Sequence, residues 1–251
     1  WNDLTGNGYH FNTVWGNAPT LSTINGLQAM EFNSSKGMYR TSVPLNTSVT
    51  VFMVIRYSAS IGSWGNFMHH GHHDNDWSMR KSNDNGGKVG FHTNNDNYTV
   101  MTSLVDGMSY ILIGRLSGGL VDYWAYPQNG SAHIQRNVYM YSSISSGNKT
   151  LYVGLSDSYE ACNGRIGEIL YYNTSISDAD VSLNLLYLQN KWFNNIAIGV
   201  GKYVTFVSNG ITNINAIQEA SGNYLTKTVS SELRIGQPGV APTLSSTTFA
   251  V

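Results

Sequence analysis

The stretch RIGEILYYNTSISDADVSLNLLYLQNKW (165–192) changes period partway along, and that change decides the fold. RIGEILYY is β-branched and aromatic and reads as a strand ending in Tyr171 and Tyr172. A short polar loop follows. From Ser177 onward the apolar residues recur at Val181, Leu185, Leu188 and Trp192, which is helical spacing. Ser177 suits an N-cap, Asp178 and Asp180 suit the positive end of a helix dipole, and Lys191 sits at the opposite end. The pattern predicts a helix over 177–191, and no other segment carries so clear a helical signal.

Upstream, strand signals dominate. SVTVFMVIRY (48–57) is almost continuously apolar, as expected of a central strand buried on both faces. DWSMRKS, GKVGFHT, MSYILIGRL, LVDYWAYP and KTLYVGL follow at short intervals, separated by turn clusters such as NDNGG, LSGG and SSGN. Regular short strands of this kind predict an all-β sandwich or jelly roll. Downstream of Trp192 the texture thins: large apolar side chains become scarce and Gly, Ser and Thr common. A β-rich extension, or the start of a second small domain, is expected over 193–251, supported by neighbours because so thin a core is marginal alone.

Composition narrows the function. The chain has 251 residues, of which 41% are apolar, enough for a sizeable core, and 12% charged, about half the usual share. Fifteen acids against fourteen bases leave a net charge of -1 and no basic stripe, so nucleic acid is not an expected partner. Polarity resides in Asn, Ser, Thr, Gly and Tyr. That suits neutral, hydroxyl-rich ligands such as glycans, and equally a subunit held in a larger assembly. Cys162 is the single cysteine, which rules out an intrachain disulfide. No apolar run is long enough for membrane insertion as a helix. A start at Trp1 is expected of a processed or excised part of a longer protein.

Three stretches together resemble the concanavalin A-like lectin/glucanase superfamily in its laminin-G-like branch. They are WNDLTGNGYHF with INGLQAMEF (24–32), the strand series from SVTVFMVIRY, and the strand–loop–helix passage quoted first. The resemblance covers 1–192. It implies a concanavalin A-like jelly-roll sandwich of two antiparallel sheets, one of them concave, with one short helix and with ligand loops at the rim. Its members bind glycans or proteins, act in adhesion, or in one branch hydrolyse β-glucans, so fold alone leaves function open.

The glucanase branch carries E-x-D-x-x-E on one strand, placing alternate carboxylates in the cleft. That spacing is absent here. Glu168 has no acid two or five residues away, and its expected role is to orient the loop before the helix. SSELR (230–234) is similar to one strand of jelly-roll alginate lyases, but Ser230 replaces the first Arg and the companion strands are missing. No catalytic residues are assigned, and the chain is expected not to be an enzyme.

MHHGHHDNDW (68–77) concentrates four histidines and two aspartates. Strand alternation puts His69 and His70 on opposite faces, so the four rings do not converge. HHDND reads as a loop between two strands, with Trp77 entering the core or the concave face. A metal through His72, Asp74 and Asp76, or calcium through the two aspartates with loop carbonyls, is the competing reading. If the domain binds a glycan, the expected contacts come from rim loops. These are His72, His73, Asp74 and Asp76, then Asn94, Asn95 and Asp96, then Asp157 with Tyr159 available to stack. Trp124 is expected to be structural. Asn33, Asn46, Asn97, Asn129, Asn148 and Asn173 each begin an Asn-X-Ser/Thr triplet, read either as glycosylation acceptors or as chance in so Asn-rich a chain.

Three roles compete: a non-catalytic glycan-binding or adhesion module at an extracellular or virion surface, a purely structural capsid or fibre subunit contacting neighbouring copies, and an enzyme without recognisable motifs.

Overall fold

The computed structural model describes residues 1–14, 17–33, 35–60, 64–71, 76–82, 86–93, 100–139, 144–155, 160–193, 210–218 and 227–235, the last two stretches as backbone alone. The chain divides into two compact units, Trp1–Ile196 and Ala197–Val251.

The first unit is a jelly-roll sandwich of two antiparallel seven-stranded sheets with one helix, as expected. Sheet A runs in the order β1 (Asn12–Thr13), β4 (Met38–Leu45), β13 (Gly147–Val153), β6 (Asn66–His70), β7 (Trp77–Ser82), β8 (Lys88–Thr93), β9 (Val100–Thr102). Sheet B runs β12 (His133–Tyr139), β11 (Leu120–Pro127), β10 (Ser109–Ser117), β5 (Val49–Tyr57), β14 (Gly164–Tyr172), β3 (Leu27–Phe32), β2 (Thr20–Ile24).

Strand β5 lies at the centre of sheet B, and its apolar run follows from having a core on each side. Val49, Val51, Met53 and Ile55 face the core between the sheets. Phe52 and Val54 face a second core beneath the helix. From sheet A, Met68, Trp77, Met79, Phe91 and Val153 fill the inner core. Trp77 stacks on Phe91 at 5.4 Å and on Tyr171 at 6.2 Å between ring centroids, tying the two sheets together. Gly114 on β10 is what lets the Phe91 ring approach: a Cβ there would overlap it.

Helix α1 (Asp178–Trp192) begins at Ser177, whose Oγ accepts from Asp180 N at 3.1 Å. Val181, Leu188 and Trp192 pack on Phe52, Val54, Ile111 and Ile113. Buried Arg115 of β10 secures the N-terminal turn, donating to the Ile176 carbonyl at 2.9 Å and pairing with Asp178 at 2.8 Å and Asp122 at 2.5 Å. Trp124 is buried under this layer and stacked by Arg115 and Arg136, a structural tryptophan as expected.

Glu168 departs from its expected role. Its carboxylate accepts from Trp192 Nε1 at 2.6 Å and Tyr187 Oη at 2.9 Å, and pairs with Lys191 at 3.0 Å. It therefore holds the C-terminal turn of the helix, because the helix doubles back over the strand that leads into it. The Trp192 ring rests over Gly167, where a Cβ would lie 2.5 Å from it. Positioning the loop before the helix falls instead to Thr50, whose Oγ1 donates to Thr174 O at 3.0 Å and accepts from Ile176 N at 3.1 Å.

The second unit contains an antiparallel hairpin of β15 (Gly210–Gln218) and β16 (Lys227–Ile235), nine residues paired on each side. SSELR lies within β16.

Candidate functional site

The inner face of sheet A is committed to the core, so ligand chemistry on this sheet belongs to its outer face. One cross-strand row there can be followed through the register. Asn12 pairs with Tyr39, Tyr39 with Tyr152, Tyr152 with His69, His69 with Ser78, and Ser78 with His92. Directly paired residues of antiparallel strands share a face, so six strands contribute one continuous row of aromatic and polar side chains. Asn12 is exposed, Tyr39 and Tyr152 are half-buried, and His69, Ser78 and His92 are buried. Tyr39 and Tyr152 lie 6.5 Å apart between centroids, and His69 stacks on Tyr152 at 5.8 Å. The open end of the row is thus an aromatic platform.

Beside it runs a second row, Asn66–Arg80–Gly90–Met101. Arg80 sits 5.0 Å over the Trp64 ring and 3.6 Å from Glu160. Asn66 Nδ2 donates to the same Glu160 carboxylate at 3.0 Å. Trp64 adopts φ +63°, sparsely populated for an aromatic residue and held here by these contacts. Burial, reinforced by the Arg80 charge, holds the His92 imidazole well below its ordinary pKa, so it is neutral at pH 7. Neither row contains an acid. Among the described residues Glu160 is the carboxylate that reaches them, and it is already ion-paired. Such a face can stack a ring and exchange hydrogen bonds.

The residues singled out in the sequence fall mainly elsewhere. His72, His73, Asp74, Asn94, Asn95, Asp96, Asp157, Tyr159 and Asn97 lie outside the described residues. Among the described residues, His70, Trp77 and Thr93 are side by side at one end of sheet A. Val153 pairs with Met68, and the Glu160 carbonyl accepts from Asn66 N, at the opposite end. Asp76 is buried, accepts from Ser145 Oγ at 3.1 Å and lies 3.6 Å from Lys149 Nζ.

The expected alternation at His69 and His70 holds. His69 joins the outer row, whereas His70 turns inward against Trp77 and Tyr171, its Nε2 3.2 Å from Val43 O and its Nδ1 3.2 Å from Tyr171 Oη. Among the described residues no group of three His, Cys, Asp or Glu could hold a metal, and no helix is long and apolar enough to cross a membrane. Of the possible glycosylation positions, Asn33, Asn46, Asn129 and Asn148 are exposed and Asn173 is half-buried. Asn46 Nδ2 is used internally, donating to Asn173 O at 2.9 Å.

Sequence reasoning passed over Tyr39, Tyr152, Ser78 and His92. The available signal was alternation: in WSMRKS, VGFHT and LYV the polar or hydroxylated residue falls between core residues. That marks an outward side chain without saying which others stand next to it.

No protein-family model and no curated protein matches the sequence. Solved structures share the fold. The enzymatically active domain of tailspike protein 2 from bacteriophage CBA120 is 16% identical with a TM-score of 0.55, over 74% of this chain and 30% of that one. Domain 4 of AbnA, an extracellular GH43 arabinanase from Geobacillus stearothermophilus solved in complex with arabinotriose, is 13% identical with a TM-score of 0.56, over 72% and 90%. The binding domain of botulinum neurotoxin DC in complex with SialylT is 12% identical with a TM-score of 0.53, over 74% and 48%. The chain therefore spans less than half of the tailspike and toxin chains, and at these identities the likeness is one of architecture.

Proposed function

We propose that residues 1–192 form a non-catalytic glycan-binding module of laminin-G-like type, acting at an extracellular or virion surface. The observation that carries this reading is the outer row of sheet A. Two half-exposed tyrosine rings lie side by side, backed by the buried His69 imidazole and flanked by the exposed amide of Asn12. A pyranose has a C–H face and a hydroxylated edge, so it stacks on an aromatic ring while its hydroxyls bond to neighbouring polar groups. The fold shared with a tailspike domain, an arabinanase domain and a toxin binding domain supports the same class of ligand. The residues His72, His73, Asp74, Asn94, Asn95, Asp96, Asp157 and Tyr159 would extend the site.

A glycan array tests it. Tyr152→Ala and Tyr39→Ala are expected to weaken binding by about tenfold each, the value of one aromatic contact. Asp74→Ala, Asp96→Ala and Tyr159→Ala report on the loops. Absence of binding by the unaltered chain, or binding by both tyrosine variants as strong as that of the unaltered chain, sinks the reading. Release of reducing ends or unsaturated products from β-glucan or alginate would overturn its non-catalytic half.

A second reading, contact between copies in a surface assembly, is favoured by Leu183, Leu186 and Tyr187, a stripe on the outer side of α1 left 44%, 43% and 43% exposed. Sedimentation of the purified chain separates a monomer from a self-assembling subunit.

A further inference from the structure

A cleft of about 230 Å³ opens where the edge of sheet A meets the β11–β12 end of sheet B. One wall is the turn that follows β9, from Ser103 to Met108. The other is the β11–β12 connection, from Pro127 to His133. The floor is apolar: Leu104 and Met108 pack on the inner core, and Ala125 and the Tyr110 ring belong to it. The rim is polar, with Ser103 on one side and Asn129, Ser131 and His133 on the other, and among the described residues no Asp, Glu, Lys or Arg lines the cleft. Tyr110 Oη accepts from Val105 N at 2.8 Å, which braces the first wall.

A second observation points to an occupant. The register sets His133 opposite Ala125 and Gln135 opposite Tyr123, so these four residues share the core-facing side of β11 and β12. His133 Nε2, Gln135 Oε1 and Tyr123 Oη are each shielded from solvent and have no hydrogen-bond partner among the described residues. A buried polar atom left bare costs roughly 1–3 kcal/mol. Native proteins rarely tolerate several in one strip without water or a ligand to satisfy them. Of the three, His133 lines the cleft itself, and an unsatisfied ring nitrogen beside an apolar floor and short polar rim groups suits a guest that is amphipathic, neutral and rich in hydroxyls.

We propose that this cleft is a separate binding site for one neutral pyranose residue. The volume equals that of roughly seven or eight waters, room for one sugar ring and not for two. The C–H face lies on Leu104 and Met108, and the hydroxyls reach Asn129, Ser131 and His133 Nε2. The site lies on the core side of the sandwich and does not depend on the outer face of sheet A.

The test is amide-resolved titration of the full chain with the methyl glycosides of glucose, galactose, mannose and N-acetylglucosamine. At least one is expected to give saturable shifts confined to Ser103–Met108 and Asn129–His133. His133→Ala weakens that affinity by about tenfold. Val105→Trp, at a position 58% exposed on the lip, closes the mouth and abolishes the shifts. Tyr152→Ala leaves them unchanged, which separates this site from the sheet-A platform. The proposal is overturned if no glycoside gives a saturable shift up to about 50 mM, where a millimolar site is filled. It is equally overturned if both cleft variants bind as the unaltered chain does.

Discussion

His70 stands at the end of β6 with no exposed surface, wedged among Trp77, Tyr171 and the Val43 carbonyl. Burial pushes its pKa from 6.5 down to about 4; the Val43 carbonyl and Asp76 offset part of that, while His69 and Lys149 add to it. In the unfolded chain the ring titrates near its ordinary value. Because the folded pKa is the lower one, the unfolded state takes up the proton first. Stability is therefore full above about pH 6.5 and is lost as pH falls toward 4. A displacement of 6.5 − 4 = 2.5, at about 1.36 kcal/mol per unit, makes this about 3 kcal/mol. His92 is displaced in the same direction by burial and Arg80, so it steepens the loss.

Urea unfolding at a series of pH values between neutral and about pH 4.5 measures this directly. The expected slope is up to about 1.4 kcal/mol per pH unit for each histidine. His70→Gln, which keeps a donor for the Val43 carbonyl, is expected to lose one proton's worth of that slope. A slope identical in His70→Gln and the unaltered chain would refute the assignment to His70. Stability that stays flat to about pH 4.5 would refute the whole argument.

Glu168→Ala leaves Trp192 Nε1 without its acceptor and should destabilise the domain by roughly 1–3 kcal/mol in urea unfolding, with no change in glycan binding. Gly114→Ala forces a methyl group into the Phe91 ring, and a thermal melt should register an overpacking penalty of about 1–3 kcal/mol. Ser177→Ala removes the oxygen that caps Asp180 N and should cost about 1 kcal/mol, read from the same melt. An unchanged midpoint in any of these would contradict the contact it tests.

Local pattern alone was enough for the elements that dominate the core. The apolar run of β5, the alternation that splits His69 from His70, and the cap and spacing of α1 are written in adjacent residues, because strand and helix periods act over a few positions. β4 and β12 were harder to read. MYRTSVPL and HIQRNVY carry few buried apolar residues, and β12, an edge strand, has only one face packed. Glu168 was misjudged for a related reason, since its partners lie nineteen and more residues further along the chain, on a helix whose return path is a matter of packing.

The outer row depends on tertiary structure altogether. Asn12, Tyr39, His69, Ser78, His92 and Tyr152 come from six strands, and sheet order places β13 between β4 and β6. Alternation in the sequence says that each points outward. Only interstrand hydrogen bonding over long loops sets the register that makes them neighbours, and a slip of one residue in any strand would turn its member of the row into the core.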